Sequence, residues 1–157
     1  MKARTMLMLT LALCFIGVGV CFASDLNPNI GTWTLNEAKS KIPPGVLKNT
    51  TVVYVAVGDE IKVTTDGIDK DGKPAHTEWT GKFDGKDYPL SGDPSSDSRS
   101  YTKVNEHRLA VANKKNGTVT TSGHIIVSAD GKSRVLTITG IDSTGKKVSS
   151  RAVYDKQ

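Results

Sequence analysis

The feature that most constrains this chain is a two-residue alternation of apolar and polar side chains, recurring in short segments that are punctuated by Asx-Gly pairs. In the stretch 76–83, Thr77, Trp79, Gly81 and Phe83 fall on one face and His76, Glu78, Thr80 and Lys82 on the other. That is the spacing of a strand with one face in a core and one in water. The same pattern marks strands at 31–36, 51–57, 60–66, 75–83, 86–90, 98–104, 107–113, 118–128, 133–141 and 147–154, each rich in Val, Ile, Thr or aromatic residues. Between them stand Gly58-Asp59, Asp71-Gly72, Asp84-Gly85, Asn116-Gly117, Asp130-Gly131 and Thr144-Gly145. Turns this short make consecutive strands antiparallel neighbours. Helical periodicity is nearly absent, so the chain is all-β, an antiparallel up-and-down meander of about ten strands.

A sheet of that width must manage its edges, and a meander with helix-free connections does so most economically by closing into a barrel. Gly81, Gly123 and Gly140, on otherwise apolar faces, suit the bends that closure needs, although an open sandwich could use them too. Two stretches interrupt the meander. Residues 37–49 contain Pro43-Pro44-Gly45 and are expected to form one helical turn and an extended crossover; 91–97 form a polar loop around Gly92, Asp93 and Pro94. Both are expected to rim a site.

The N-terminus reads differently. Lys2 and Arg4 precede an uncharged apolar run from Met6 to Val20, then small residues and the first acid, Asp25. This is the pattern of a cleaved signal peptide, 1–23, with the cut after Ala23, and it implies a secreted or periplasmic protein whose single domain is 24–157. The run is too short to span a bilayer comfortably. Lipidation at Cys21 is disfavoured because Val20 stands where a small residue is wanted. Cys14 and Cys21 are the only cysteines, so the exported domain has neither disulfide nor thiolate chemistry. The formal charge of +5 falls by two with Lys2 and Arg4, and the remaining charges are interspersed, which argues against a nucleic-acid partner.

The first strand contains Gly31-Thr32-Trp33, a GxW motif, and resembles the opening strand of the calycins, the superfamily of lipocalins, fatty-acid-binding proteins and avidins. The resemblance covers six residues, but it falls on the first exported strand and ahead of a continuous meander. It implies a lipocalin-like barrel whose Trp plugs one end beneath a basic side chain from near the last strand, here Arg151, so that Gly31, Trp33 and Arg151 are assigned to barrel closure. The chain also resembles small exported bacterial lipocalin-like proteins. Ten strands match the fatty-acid-binding layout, yet 37–49 is too short for that family's helical lid. The Arg-x-Tyr pair of its last strand is missing, because Arg151 and Tyr154 are three apart and lie on opposite faces.

No residue constellation points to catalysis. None of the serines sits in a GxSxG elbow, and Glu78 with Asp87 is a carboxylate pair of a kind that almost any β protein offers. His76, His107 and His124 read as strand residues on outer faces, with His76 and Glu78 at most half of a metal site. Asp66, Asp69 and Asp71 read as a solvated hairpin tip. Neither a cofactor nor a metal is expected, and the protein is read as a non-enzyme. The presumed interior mixes Val63, Trp79, Phe83, Val119, Ile125 and Val127 with Thr65, Thr77, Gly81, Thr121 and Gly123. A lining of that kind suits a small apolar or amphipathic ligand. The candidate ligand contacts are Trp79 and Phe83, with Arg99 and Tyr101, an Arg-x-Tyr pair on one face, as polar anchor. The alternative is a structural or protein-interaction module of the envelope with a filled core. Oligomeric state is not legible.

Overall fold

A computed structural model describes residues 27–141 and 145–157. The apolar leader, its cut after Ala23, both cysteines and Thr144 of the last turn lie outside the described residues. Ten strands follow in chain order: β1 Gly31–Leu35, β2 Lys48–Val57, β3 Glu60–Ile68, β4 Pro74–Gly81, β5 Tyr88–Ser91, β6 Ser98–Asn105, β7 Arg108–Lys115, β8 Thr118–Val127, β9 Ser133–Ile141 and β10 Lys147–Lys156. Each pairs antiparallel with its sequence neighbour, and β1 also pairs with β10, so the meander closes into a barrel. This is the all-β, closed antiparallel meander that the alternation and the short turns imply. Among the described residues no helix is long and apolar enough to cross a membrane.

Turn chemistry sets the pairing. Asn116 (φ 49°) and Gly117 (φ 78°) both hold left-handed backbone at the β7–β8 tip, the type I′ geometry whose twist matches that of the flanking strands. Asp69 Oδ1 accepts from the backbone N–H of Asp71 and of Lys73, each at 2.8 Å. The acids at this tip therefore shape a turn.

The β1–β10 seam is short, from Trp33 to Leu35, and the connection after β1 extends it. Asn36 N–H donates to Val153 O at 2.8 Å, and Lys41 exchanges two backbone hydrogen bonds with Arg151, at 2.7 and 2.8 Å. The expected helical turn is a single 3-10 turn at Glu37–Lys39, capped by the Asn36 side chain. Val153, an outward position, is buried beneath this connection.

Gly81 is required where it stands, because the ring of Tyr88 lies against it and a Cβ would fall within that ring. The Tyr88 hydroxyl is held in turn by Asp84 at 3.1 Å. An aromatic side chain thus covers the gap that the glycine leaves in the wall.

One inward assignment is corrected. Val119 is 52% exposed, because a bulge between Asn113 and Lys114 shifts the register of β7 against β8. Thr121 stays opposite Asn113 while Val119 turns outward.

Candidate functional site

The barrel has two unlike ends. Chain entry and the β2–β3, β4–β5, β6–β7 and β8–β9 turns lie at one, and the β1–β2, β3–β4, β5–β6, β7–β8 and β9–β10 connections at the other. The first end is sealed. Trp33 is fully buried, and its indole N–H donates to Asn29 O at 2.8 Å.

The guanidinium over Trp33 belongs to Arg134 of β9. Its Cζ lies 4.7 Å from the Trp33 ring centre, 4.8 Å from that of Tyr54 and 5.0 Å from that of Tyr154. The assignment of Arg151 to this place is corrected: Arg151 is exposed and donates to Lys39 O at 2.9 Å. Alternation explains the difference, since Ala152 and Tyr154 take the inward positions of β10 and put Arg151 outside. Arg134 faces inward because it pairs with Val127 on one side and Tyr154 on the other. Lys156 adds a second cation 5.1 Å from the Trp33 ring. Burial beside these groups pushes the Tyr154 phenol up to about 12, although the Arg134 charge pulls it down.

Above the seal is an aromatic layer. Trp79 packs edge-on to Tyr101 at 4.8 Å and to Tyr88 at 5.7 Å, and stacks with Phe83 at 6.3 Å. Its indole N–H reaches across β5 to Arg99 O at 2.9 Å. Trp79 is therefore fixed core, and Phe83, in the β4–β5 connection, lies on its sealed-end side.

The other half of the interior is polar and less tightly closed. Thr65 and Thr77 hydroxyls share a hydrogen bond of 2.7 Å. Arg99 Nε donates to Asn113 Oδ1 at 2.7 Å, and Asn113 Nδ2 donates to Thr121 Oγ1 at 3.0 Å. Arg99 Nη1 stands 3.4 Å from the Tyr101 hydroxyl, as does the Tyr54 hydroxyl. Arg99 and Tyr101, paired from sequence, are thus brought together inside the barrel. Thr121 takes the inward place its spacing implies, but its meeting with Asn113 was not foreseen, because it depends on the register across a bulged hairpin. The inward-facing Leu136 and Ile138 of β9 are only partly buried. A surface cleft of ≈ 420 Å³ lies at the ends of β8 and β9, lined by residues 119–123, 139–141 and 147 from both faces of the sheet.

Of the remaining sequence candidates, His76, Glu78 and Asp87 carry their side chains on the outside, whereas Nδ1 of His107 is buried without a hydrogen-bond partner. His76 Nδ1 lies 2.7 Å from Asp66 and its Nε2 3.6 Å from Glu78. The hydrogen bond to Asp66 raises the His76 pKa above its ordinary value. Glu78 pairs with Lys62 at 3.0 Å, which holds its carboxyl below the usual range, and Asp87 pairs with Lys114 at 2.7 Å. These two carboxylates engage separate lysines and do not face each other across a cleft. Among the described residues no three His, Cys, Asp or Glu side chains converge as metal ligands.

No protein-family model matches the chain, and no curated protein does. Among solved structures it is similar to apocrustacyanin C1, with 15% identity, 83% of this chain and 62% of that one covered, and a TM-score of 0.43. Lobster apocrustacyanin A1 gives 15%, 84%, 62% and 0.42, and apocrustacyanin C2 gives 15%, 83%, 62% and 0.42. The chain thus spans about 62% of the length of these proteins.

Proposed function

We propose that this is an exported, non-enzymatic binding protein whose barrel receives one small apolar or amphipathic molecule at its open end. The observation that carries the proposal is the gradient along the interior, from aromatics sealed under Arg134 to half-buried Leu136 and Ile138 beside hydroxyl and amide groups. Closely packed interiors leave few side chains half-exposed, whereas ligand sites pair apolar walls with a few placed polar groups. Arg99 and Tyr101 are the polar contacts in this proposal, and Trp79 and Phe83 form the floor beneath the guest. Export rests on the leader sequence, and a role outside the cytoplasm follows from it.

The test is fluorescence titration with the neutral dye N-phenyl-1-naphthylamine, on the wild type and on Ile138→Trp, which fills the mouth. Saturable uptake at one dye per chain, weakened at least tenfold by the substitution, is expected. A folded wild-type protein that takes up no dye would overturn the proposal. The alternative, an interaction module of the envelope, draws on Val55 and Val57, exposed on the outer end of β2 beyond its pairing with β1.

A further inference from the structure

We infer that the outer wall formed by β7 to β10 is a docking surface for a bilayer that contains anionic phospholipids. The fold separates charges that are interspersed along the chain. Residues 98–157 hold eleven lysines and arginines against four acids, whereas residues 24–97 hold eight against twelve. Across β7, β8, β9 and β10, which are neighbours in the barrel, Asp155 is the one carboxylate. Asn36 holds it at 2.7 Å.

The cations of this wall have no such partners. Arg108 of β7 is set outward by its inward neighbour Leu109 and Arg151 of β10 by Ala152, with Lys147 on the parity of Arg151. All three are exposed. None of them forms an ion pair among the described residues. The wall around β3 and β4 differs: Lys62 pairs with Glu78, His76 with Asp66 and Lys82 with Asp59. Those acids are already matched, so a second copy of this chain offers the basic wall little net negative charge.

Aliphatic groups stand between the cations. Ile126 of β8 is 43% exposed and Ile141 of β9 is 64% exposed. A barrel laid on a plane touches it along a strip, and here that strip is β8 and β9, with Arg108 on one flank and Lys147 and Arg151 on the other. The two isoleucines then enter the interfacial layer while the cations meet phosphates. The surface cleft at the ends of β8 and β9 brings Ser122 and Thr139 together with Lys147, a donor set suited to one headgroup phosphate. Tyr154, the one aromatic residue of these four strands, is buried, so the wall lacks the aromatic anchors on which protein partners commonly depend. A fluid headgroup layer needs none.

Sedimentation with phosphatidylcholine vesicles, with and without about one-third phosphatidylglycerol, tests this. Binding to the phosphatidylglycerol vesicles alone, released by high salt, is expected. A cation at an anionic surface is worth about fivefold in affinity, so Arg108→Gln with Arg151→Gln should weaken binding roughly 25-fold. Ile141→Ser should weaken it further, and Lys62→Gln with Lys82→Gln should change it far less. These side chains are exposed, and circular dichroism verifies that each variant is folded. No sedimentation with either vesicle, or equal sedimentation with both, would overturn the inference. Equal losses from the arginine pair and the lysine pair would overturn it too, because they would mark a general charge effect. Soluble polyphosphate bound as tightly as the vesicles, with Ile141→Ser without effect on either, would overturn it in favour of a soluble polyanion.

Discussion

Replacing Arg134 by alanine tests the seal directly. Three contributions decide its size. Loss of the desolvated cation–π contacts with Trp33, Tyr54 and Tyr154 costs about 2 kcal/mol. Removing the Cγ and Cδ methylenes from the core costs about 1.6 kcal/mol more, at roughly 0.8 kcal/mol per CH₂. Against this, Nε and Nη1 of Arg134 are buried without hydrogen-bond partners, and deleting them returns about 1 kcal/mol each. The net loss is about 2 kcal/mol, or roughly 6 °C in thermal midpoint for a domain of this size. Arg151→Ala removes one exposed hydrogen bond to Lys39 O and should cost less than about 1 kcal/mol. Thermal and urea unfolding followed by far-ultraviolet circular dichroism measure both. If Arg151→Ala costs as much as Arg134→Ala, the assignment of the sealing cation to Arg134 is refuted.

Other consequences follow from the same contacts. A Cβ at Gly123 would collide with the Thr137 backbone carbonyl, so Gly123→Ala should cost more than about 3 kcal/mol, read from urea midpoints; an unchanged midpoint would mean the β8–β9 approach is looser than described. Tyr154 titrates at about 12, and Tyr54 is raised beyond the ordinary phenol range, chiefly by burial. Because the folded values lie above the unfolded value of ~10, their stabilisation is full below pH ~10 and is lost as pH rises through the folded values. Absorbance at 295 nm and circular dichroism should therefore show these phenols ionising together with unfolding, and phenolate formation near pH 10 in an intact fold would contradict their burial. His76 should titrate above its ordinary value in a proton NMR titration, and Asp66→Asn should lower that value while leaving the thermal midpoint in place; a His76 titration unmoved by the substitution would show that the Asp66 contact does not persist in solution.

The architecture was legible because period-two alternation and Asx-Gly turns are local signals. Thr77 and Trp79 face inward as their spacing implies, and Asn116-Gly117 makes the turn its dipeptide favours. What alternation cannot see is a bulge, and the one beside Asn113 reversed Val119. Nor does it distinguish an inward side chain that lines space from one that fills it. Trp79 is placed inward by its spacing, but that its indole is tied to the Arg99 carbonyl is seen only in the structure. The Arg151 assignment followed from the resemblance, although its spacing from Tyr154 already put the two on opposite faces. Arg134 could have been found: in β9 it shares its parity with Leu136 and Ile138, and a cation in that row is a signal in itself. The link from Arg99 through Asn113 to Thr121 joins three strands, and only register reveals it.

The most direct measurement is a native mass spectrum of the protein purified from its own source under non-denaturing conditions. A barrel whose open half holds a guest gives a population heavier than the polypeptide by one small molecule per chain, which dissociates on collisional activation and, on recovery, proves to be an apolar or amphipathic compound. A spectrum showing bare polypeptide alone, from protein that also fails to take up N-phenyl-1-naphthylamine, would contradict it.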